Sequence, residues 1–354
     1  MIARFSGDGH MQGPTVRVNP QAGMATAWRG DPPTVVVAPN QTIFVGWTAR
    51  VEAESGHATD LYLSSSRDHG QTFGAPVKVN DDTKPAVHGM HSLAIGDDGR
   101  IYVAWLDERN ITPIKDMKMD AKTEGHHMES NRELFVSSSS DGGHTFMPNR
   151  KVATDVCPCC KTALAIGPVG RIYLSWRQVL PGDLRHIAVS CSADGGKSFT
   201  EPKIVSDDQW VLAGCPVSGS ALSVDKDGTL RVLWYSAGTR GQTGLYWSES
   251  KDNGSTFSPR RLLSAGLTTG TPVLLAGNKD LTAIWENSEN GAARLLTAKV
   301  DVHTTPPETM IVQNDGELPA AAIAQNGLVI AYIGKSNQHY SVWVLFARNH
   351  REDS

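Results

Sequence analysis

Ser66-Arg67-Asp68-His69-Gly70-Gln71-Thr72-Phe73 reads S-x-D-x-G-x-[ST]-F, and the same frame returns at Ser139 to Phe146, Ser192 to Phe199 and Ser250 to Phe257. Each position has a local physical use. Ser and Asp side chains can bond the turn's own backbone, Gly permits a conformation that other residues resist, and the terminal Phe can plug back between strands. The octapeptide is therefore a hairpin corner, used four times.

A second repeat interleaves with the first. Thr34 to Trp47, Ser92 to Trp105, Ala163 to Trp176, Ala221 to Trp234, Pro272 to Trp285 and Pro319 to Tyr332 each carry a short apolar run, a tight turn, and an apolar strand ending in an aromatic residue. The turns are Asn40-Gln41, Asp98-Gly99, Val169-Gly170, Asp227-Gly228, Asn278-Lys279 and Asn326-Gly327, mostly residues that tolerate positive φ. Twelve residues before each aromatic stand Val35, Leu93, Leu164, Leu222, Val273 and Ala320, all apolar. Recurrence at a fixed period is the mark of a repeat architecture.

The S-x-D-x-G-x-[ST]-F frame resembles the Asp box of bacterial and viral sialidases and their many non-sialidase relatives. With the repeat, the resemblance implies an all-β fold: a six-bladed β-propeller of four-stranded antiparallel blades, one domain over residues 1–354. In such proteins the box joins the third and fourth strands of a blade and faces away from the active site, so it is assigned no catalysis. The repeated segment supplies each blade's inner two strands. Blades five and six lack the box, and Ala293 to Val300 and Ser341 to Ala347 are expected as their third strands. Pro14 to Asn19 is expected as an N-terminal strand closing the last blade, which would leave no exposed edge.

Bulk properties narrow the function. A net charge of −4 gives no broad cationic field, so neither a nucleic acid nor an anionic membrane is an expected partner. No apolar run approaches the roughly 18 residues that span a bilayer. The protein is expected to be extracytoplasmic, periplasmic or secreted, although Met1 to Gly9 lacks the pattern of a secretory leader. Five cysteines are few for a disulfide scaffold, and an odd count leaves at least one outside any intramolecular bridge.

In a propeller, loops entering the innermost strands crowd one face of the axis. Counting back from the blade aromatic, His88 and Cys159 share one offset, Cys157 and Cys215 share another, and His91 lies nearby. Cys157, Cys159, Cys160 and Cys215 with His88 and His91 suit a soft metal, copper before zinc, and His88-Gly89-Met90-His91 and His10-Met11 add His/Met clusters of the same character. A structural disulfide between Cys157 and Cys215 is a second reading, and buried inert thiols a third. Cys191 is expected to be a packed core residue. An insertion from about residue 110 to 132 adds Met117, Met119, His126, His127 and Met128 as further soft ligands. A metal ion, or a small-molecule or glycan ligand, is the expected partner, with a protein recipient for metal transfer.

The family resemblance also implies a sialidase test. A sialidase holds its substrate carboxylate with three arginines, one in an R-I-P motif, yet Asp31-Pro32-Pro33 stands in that place here. The nearest candidates are Arg29, Arg50, Asp60 (with Glu52) and Tyr332 or Tyr340, none in a specific motif. A carbohydrate-active enzyme or glycan-binding module remains the competing class. Asp107-Glu108-Arg109 reads as a salt-bridge cluster, Trp28 and Trp210 as packing residues, and Asp207-Asp208 as a solvated turn.

Overall fold

The computed structural model describes residues 1–52, 58–111, 131–212, 216–277, 281–289, 292–300, 309–324, 327–336 and 339–348. Within them every named element is a strand except one 3-10 turn at Pro168–Gly170. A short β1 (Ala25–Thr26) precedes the first meander of β2 (Thr34–Val37), β3 (Ile43–Arg50), β4 (Thr59–Ser66) and β5 (Val77–Lys78). Next come β6 (His88–Ile95), β7 (Ile101–Asp107), β8 (Arg132–Ser139) and β9 (Arg150–Val156). They are followed by β10 (Ala163–Ile166), β11 (Ile172–Leu180), β12 (Leu184–Ser192) and β13 (Lys203–Ile204). Further on lie β14 (Ser220–Val224), β15 (Leu230–Ser236), β16 (Gly244–Ser250) and β17 (Arg261–Ala265). The chain continues through β18 (Leu267–Ala276), β19 (Leu281–Glu289), β20 (Ala292–Val300) and β21 (Thr309–Asn314), and ends with β22 (Gly316–Ala324), β23 (Gly327–Ser336) and β24 (His339–Arg348).

Consecutive strands within a meander pair antiparallel, and the first strands pack side by side: β2 on β6, then β10, β14, β18 and β22 in turn. The repeat fixes the register. Val35 pairs with Val45, Leu93 with Val103, Leu164 with Leu174 and Leu222 with Val232, each two residues before the aromatic. In the last two meanders the partner lies one residue further on, Ile284 for Val273 and Ala331 for Ala320. Turn residues hold the expected dihedrals, with φ of 67° at Gln41, 77° at Gly99 and 85° at Gly228.

The repeated aromatics are the core. Trp105, Trp176, Trp234 and Trp285 are fully buried, Trp47 and Tyr332 nearly so. A buried indole N–H needs an acceptor. Trp47 finds Ser64 Oγ at 3.0 Å, Trp105 Asp107 Oδ2 at 2.8 Å and Trp234 Asp208 Oδ2 at 2.8 Å. The box network is the same in all four copies. Ser66 Oγ donates to Asp68 Oδ1 at 2.7 Å and accepts Gly70 N–H at 2.8 Å, while Thr72 donates its N–H and hydroxyl to the Asp68 carboxylate. Ser139–Asp141–Thr145, Ser192–Asp194–Ser198 and Ser250–Asp252–Thr256 repeat it. Phe73, Phe146, Phe199 and Phe257 each pack on a core cluster, as a plug should.

The N-terminus departs from expectation. Pro14 to Asn19 does not extend the last sheet, which has three strands among the described residues. Val16 instead bridges to Ile2 and Phe5 to Met11, so a local hairpin takes up those backbone groups. The hairpin reaches the last meander by side chains, with the Phe5 and Phe346 rings 6.0 Å apart. Asp208 is also not solvated: it is buried, accepting from Trp234 and Arg260.

Candidate metal and redox centre

The Cys157–Cys160 run leaves the end of β9 and is turned into the protein from both sides. Cys157 N–H donates to Arg177 O on β11 at 2.9 Å, and Gln178 Nε2 ties down the carbonyls of Thr154 and Asp155. Beyond it, Thr162 donates its N–H and hydroxyl to Met90 O at 3.1 and 3.0 Å. Gly219 is required where the run meets β14, because a Cβ there would sit 2.5 Å from Lys161 O. The cysteines thereby enter an apolar cluster with Met90, Leu106, Leu134, Val156, Leu174 and Trp176.

The three sulfurs lie within 4.8 Å of one another. Cys157 and Cys160 are fully buried free thiols, their sulfurs 3.3 Å apart, and Cys159 is disulfide-bonded. The expected Cys157–Cys215 bridge is therefore not formed: Cys157 Sγ faces Cys160 instead. Cys215 itself lies outside the described residues, as do Met117, Met119, His126, His127 and Met128 of the insertion. Cys191 is a free, buried core thiol, as expected.

A buried cation adjoins the thiols. Arg177 is fully buried, stacks over the Trp210 ring at 4.8 Å, and donates to Ser218 O at 3.0 Å and Tyr235 O at 3.0 Å. Its Nη1 is buried without a hydrogen-bond partner among the described residues. Burial alone would raise the Cys160 thiol, but the Cys157 S–H and the Arg177 charge outweigh it and bring Cys160 below the ordinary range. The shared proton and burial push Cys157 well above it. Cys160 is thus the sulfur favoured as thiolate and Cys157 the one that keeps its proton.

Neither expected imidazole joins this group of sulfurs. His88 is buried with Nε2 3.1 Å from Asp82 and 3.4 Å from Asp107, and Nδ1 on the Thr59 carbonyl. Burial would lower it, but the carboxylates outweigh that and raise it. His91 Nδ1 meets Asp31 at 3.0 Å beside Lys161, whose ammonium burial brings down to about 8 against the pull of Asp31. Of the His/Met cluster His88-Gly89-Met90-His91, Met90 is the member that packs with the cysteines. Sequence reasoning missed one participant. Arg177 had a signal, a lone charge in the otherwise apolar stretch Ile172 to Trp176 and beyond.

Of the sialidase candidates, Arg29, Asp60 and Tyr332 are held by other residues. Arg29 pairs with buried Glu286 and, at 2.9 Å, with Glu317. Asp60 contacts Lys78 at 3.0 Å and accepts from Asn80 at 2.8 Å, Arg50 is exposed at the end of β3, and Tyr332 is the sixth core aromatic. Arg109 pairs with Asp107 as expected and also with Asp81, while Glu108 pairs with Arg132; Arg109 lies 4.4 Å over Phe135.

Repeated meanders with four identical Asp boxes define a sialidase-like β-propeller protein. The model of the BNR repeat-like domain matches residues 27–267, so the chain belongs to that family. No curated protein matches it in sequence. Among solved structures, a protein of unknown function from Dyadobacter fermentans superposes with TM-score 0.63 at 14% identity, covering 93% of this chain and 95% of that one. The NanB sialidase of Streptococcus pneumoniae gives 0.57 at 11% identity, covering 91% and 68%. An α-L-arabinanase of Penicillium chrysogenum gives 0.53 at 15% identity, covering 88% and 92%. These likenesses carry the fold. Among the described residues, no helix is long and apolar enough to cross a membrane.

Proposed function

We propose that this chain is a single six-bladed propeller, extracytoplasmic, that binds Cu(I) through Cys157 and Cys160 for delivery or redox use. The observation that carries the reading is the pair of free, buried thiols 3.3 Å apart beside the buried Arg177. Charge selects the metal. Two thiolates and Cu(I) sum to one negative charge, which Arg177 neutralises; Zn(II) would leave a buried positive charge. Coordination selects it again, since structural zinc takes four ligands and Cys159 is spent in its disulfide. Soft thiolates in an apolar wall that includes Met90 suit Cu(I). The His/Met insertion and a recipient protein remain part of the proposal as the path of the metal. A glycosidase or glycan-binding reading rests on the likeness of fold, and the pairing of Arg29 with two carboxylates counts against it.

Titration of protein purified without nickel, against a chromogenic Cu(I) chelator, tests this. One Cu(I) per chain is expected, abolished in both Cys157→Ser and Cys160→Ser and retained in Cys191→Ser. Absence of chelator-competing uptake by the wild type overturns it.

A further inference from the structure

We infer that the cleft between the second meander and the third Asp box binds a doubly charged tetrahedral oxyanion, a phosphate or sulfate group. The cleft is separate from the thiols: Arg150, in its lining, opens β9, whereas Cys157 follows the other end of that strand. The inference does not depend on metal binding.

An internal comparison carries it. Tyr102 and Tyr173 occupy the same repeat position, three residues before Trp105 and Trp176. Each side chain meets the Asp box of the meander that follows. Tyr173 donates its hydroxyl to Asn253 Oδ1 of the fourth box at 3.2 Å. The third box has Gly195 in the place of Asn253, and a Cβ built there would stand 3.9 Å from the Tyr102 hydroxyl. The capping amide is missing, and a cleft takes its place. Two further exchanges line that cleft with donors. Ser138, paired with Tyr102 across β7 and β8, stands where Cys191 pairs with Tyr173. Lys197 stands where the fourth box has Ser255. Arg100 and Arg150 bring two more cations.

These donors are free to serve a ligand. Tyr102 is 4% exposed and Ser138 7%, and neither hydroxyl has a hydrogen-bond partner among the described residues. Burial raises Tyr102 against the charge of Arg100, which keeps it a neutral phenol and so a donor. A buried polar group left unpaired is costly, so a ligand that supplies acceptors recovers what the fold alone forgoes. Arg150 and Lys197 make no ion pair among the described residues. Two carboxylates lie nearby in sequence. Exposed Asp98 reaches Arg100 only at 3.9 Å, and Asp194 is turned into its own box by Ser192 and Ser198. Three cations and two hydroxyls around one cleft match a group whose oxygens all accept and that carries more than one charge. A carboxylate would leave more of the positive charge unanswered.

Calorimetric titration of the full chain with inorganic phosphate and with inorganic sulfate tests this, at fixed ionic strength with chloride as the balancing ion. Saturable uptake of one ion per chain is expected. Gly195→Asn installs the residue that the fourth box carries in the same left-handed conformation, φ 74° at Gly195 and 61° at Asn253. It should abolish uptake while the thermal midpoint holds or rises. Tyr102→Phe keeps the ring and removes the donor, and Lys197→Ser removes one cation; each should weaken binding about tenfold, the loss of one charge-assisted hydrogen bond. No saturable uptake of either ion by the wild type overturns the inference, as does uptake that survives Gly195→Asn in a chain that still melts cooperatively. Should Gly195→Asn not fold, unchanged affinity in both other variants overturns it instead. Phenyl phosphate and phenyl sulfate separate the sources: binding at least as tight as the inorganic ion assigns an ester, and binding of the inorganic ion alone assigns the free anion, the site standing in both cases.

Discussion

Arg29 and Glu317 stand 288 residues apart in sequence and meet through an Nη1–Oε2 contact of 2.9 Å. The same guanidinium reaches Glu286 on β19, so one side chain before the first repeated strand holds the last two meanders. Glu286 is buried, and its other partners are the Thr269 hydroxyl at 2.5 Å and the Leu318 N–H at 3.0 Å. The N-terminal part and the last meanders are therefore tied by this ion-pair latch as well as by the Phe5–Phe346 contact.

Arg29→Met is expected to destabilise by about 2 kcal/mol. That is below the range for breaking a fully buried pair, because Arg29 itself is about a third exposed. The thermal midpoint should fall by a few degrees. Adding Glu286→Gln should recover part of the loss, since the uncompensated buried charge is then gone. A double variant that melts below the single one would show that the latch is not the cause.

Acid should loosen the box corners. In the fourth box the Thr256 hydroxyl and N–H hold the Asp252 carboxylate down at about 2, and the other three box aspartates are lowered by the same contacts. A lowered carboxylate contributes stability above its unfolded value near 3.9 and loses it as pH falls through the folded value. Urea midpoints should therefore drop between pH 4 and about 2. Asp252→Asn should be less stable at pH 6 and show a shallower drop. An equal acid slope in wild type and variant would contradict this assignment.

The repeat made the architecture legible in the sequence. Six aromatics at one spacing predicted six buried positions, and all six are buried. Local chemistry predicted the box turns for the same reason: every bond that shapes them lies within eight residues. The N-terminal strand was misread because strand-like composition at Pro14 to Asn19 does not say which edge it meets, and Ile2 offered a nearer partner. The candidate site was half legible. Cysteine spacing located the pocket, but blade alignment gives only which end of a strand a residue occupies. Side-chain direction is set by bulges and partners, and these turn His88 to Asp82 and His91 to Asp31 while Met90 goes inward.

His88 gives an opposite pH signature. Its folded value is raised above 6.5 by Asp82 and Asp107 despite burial. A raised histidine contributes stability that is full below its unfolded value and is lost as pH rises through the folded one. Stability should therefore decline from about pH 6.5 upward. His88→Gln should flatten that decline while lowering stability at pH 6. Chemical denaturation at pH 6, 7 and 8 checks it.

Copper uptake should release protons in a number set by the pair. Metal binding requires both sulfurs as thiolates. Arg177 and the Cys157 S–H already draw Cys160 below the ordinary thiol range, whereas Cys157 is pushed well above it. About one proton should leave per Cu(I) at pH 8, rising toward two as pH falls and Cys160 is protonated too. Affinity should fall with pH accordingly. Calorimetry in buffers of differing ionisation enthalpy measures the number directly. Arg177→Lys keeps a charge but loses the planar grip on Ser218 O and Tyr235 O, so it should move the release at pH 8 toward two. A release that stays at one in this variant, with copper still bound, would assign the low Cys160 value to Cys157 alone and not to the arginine.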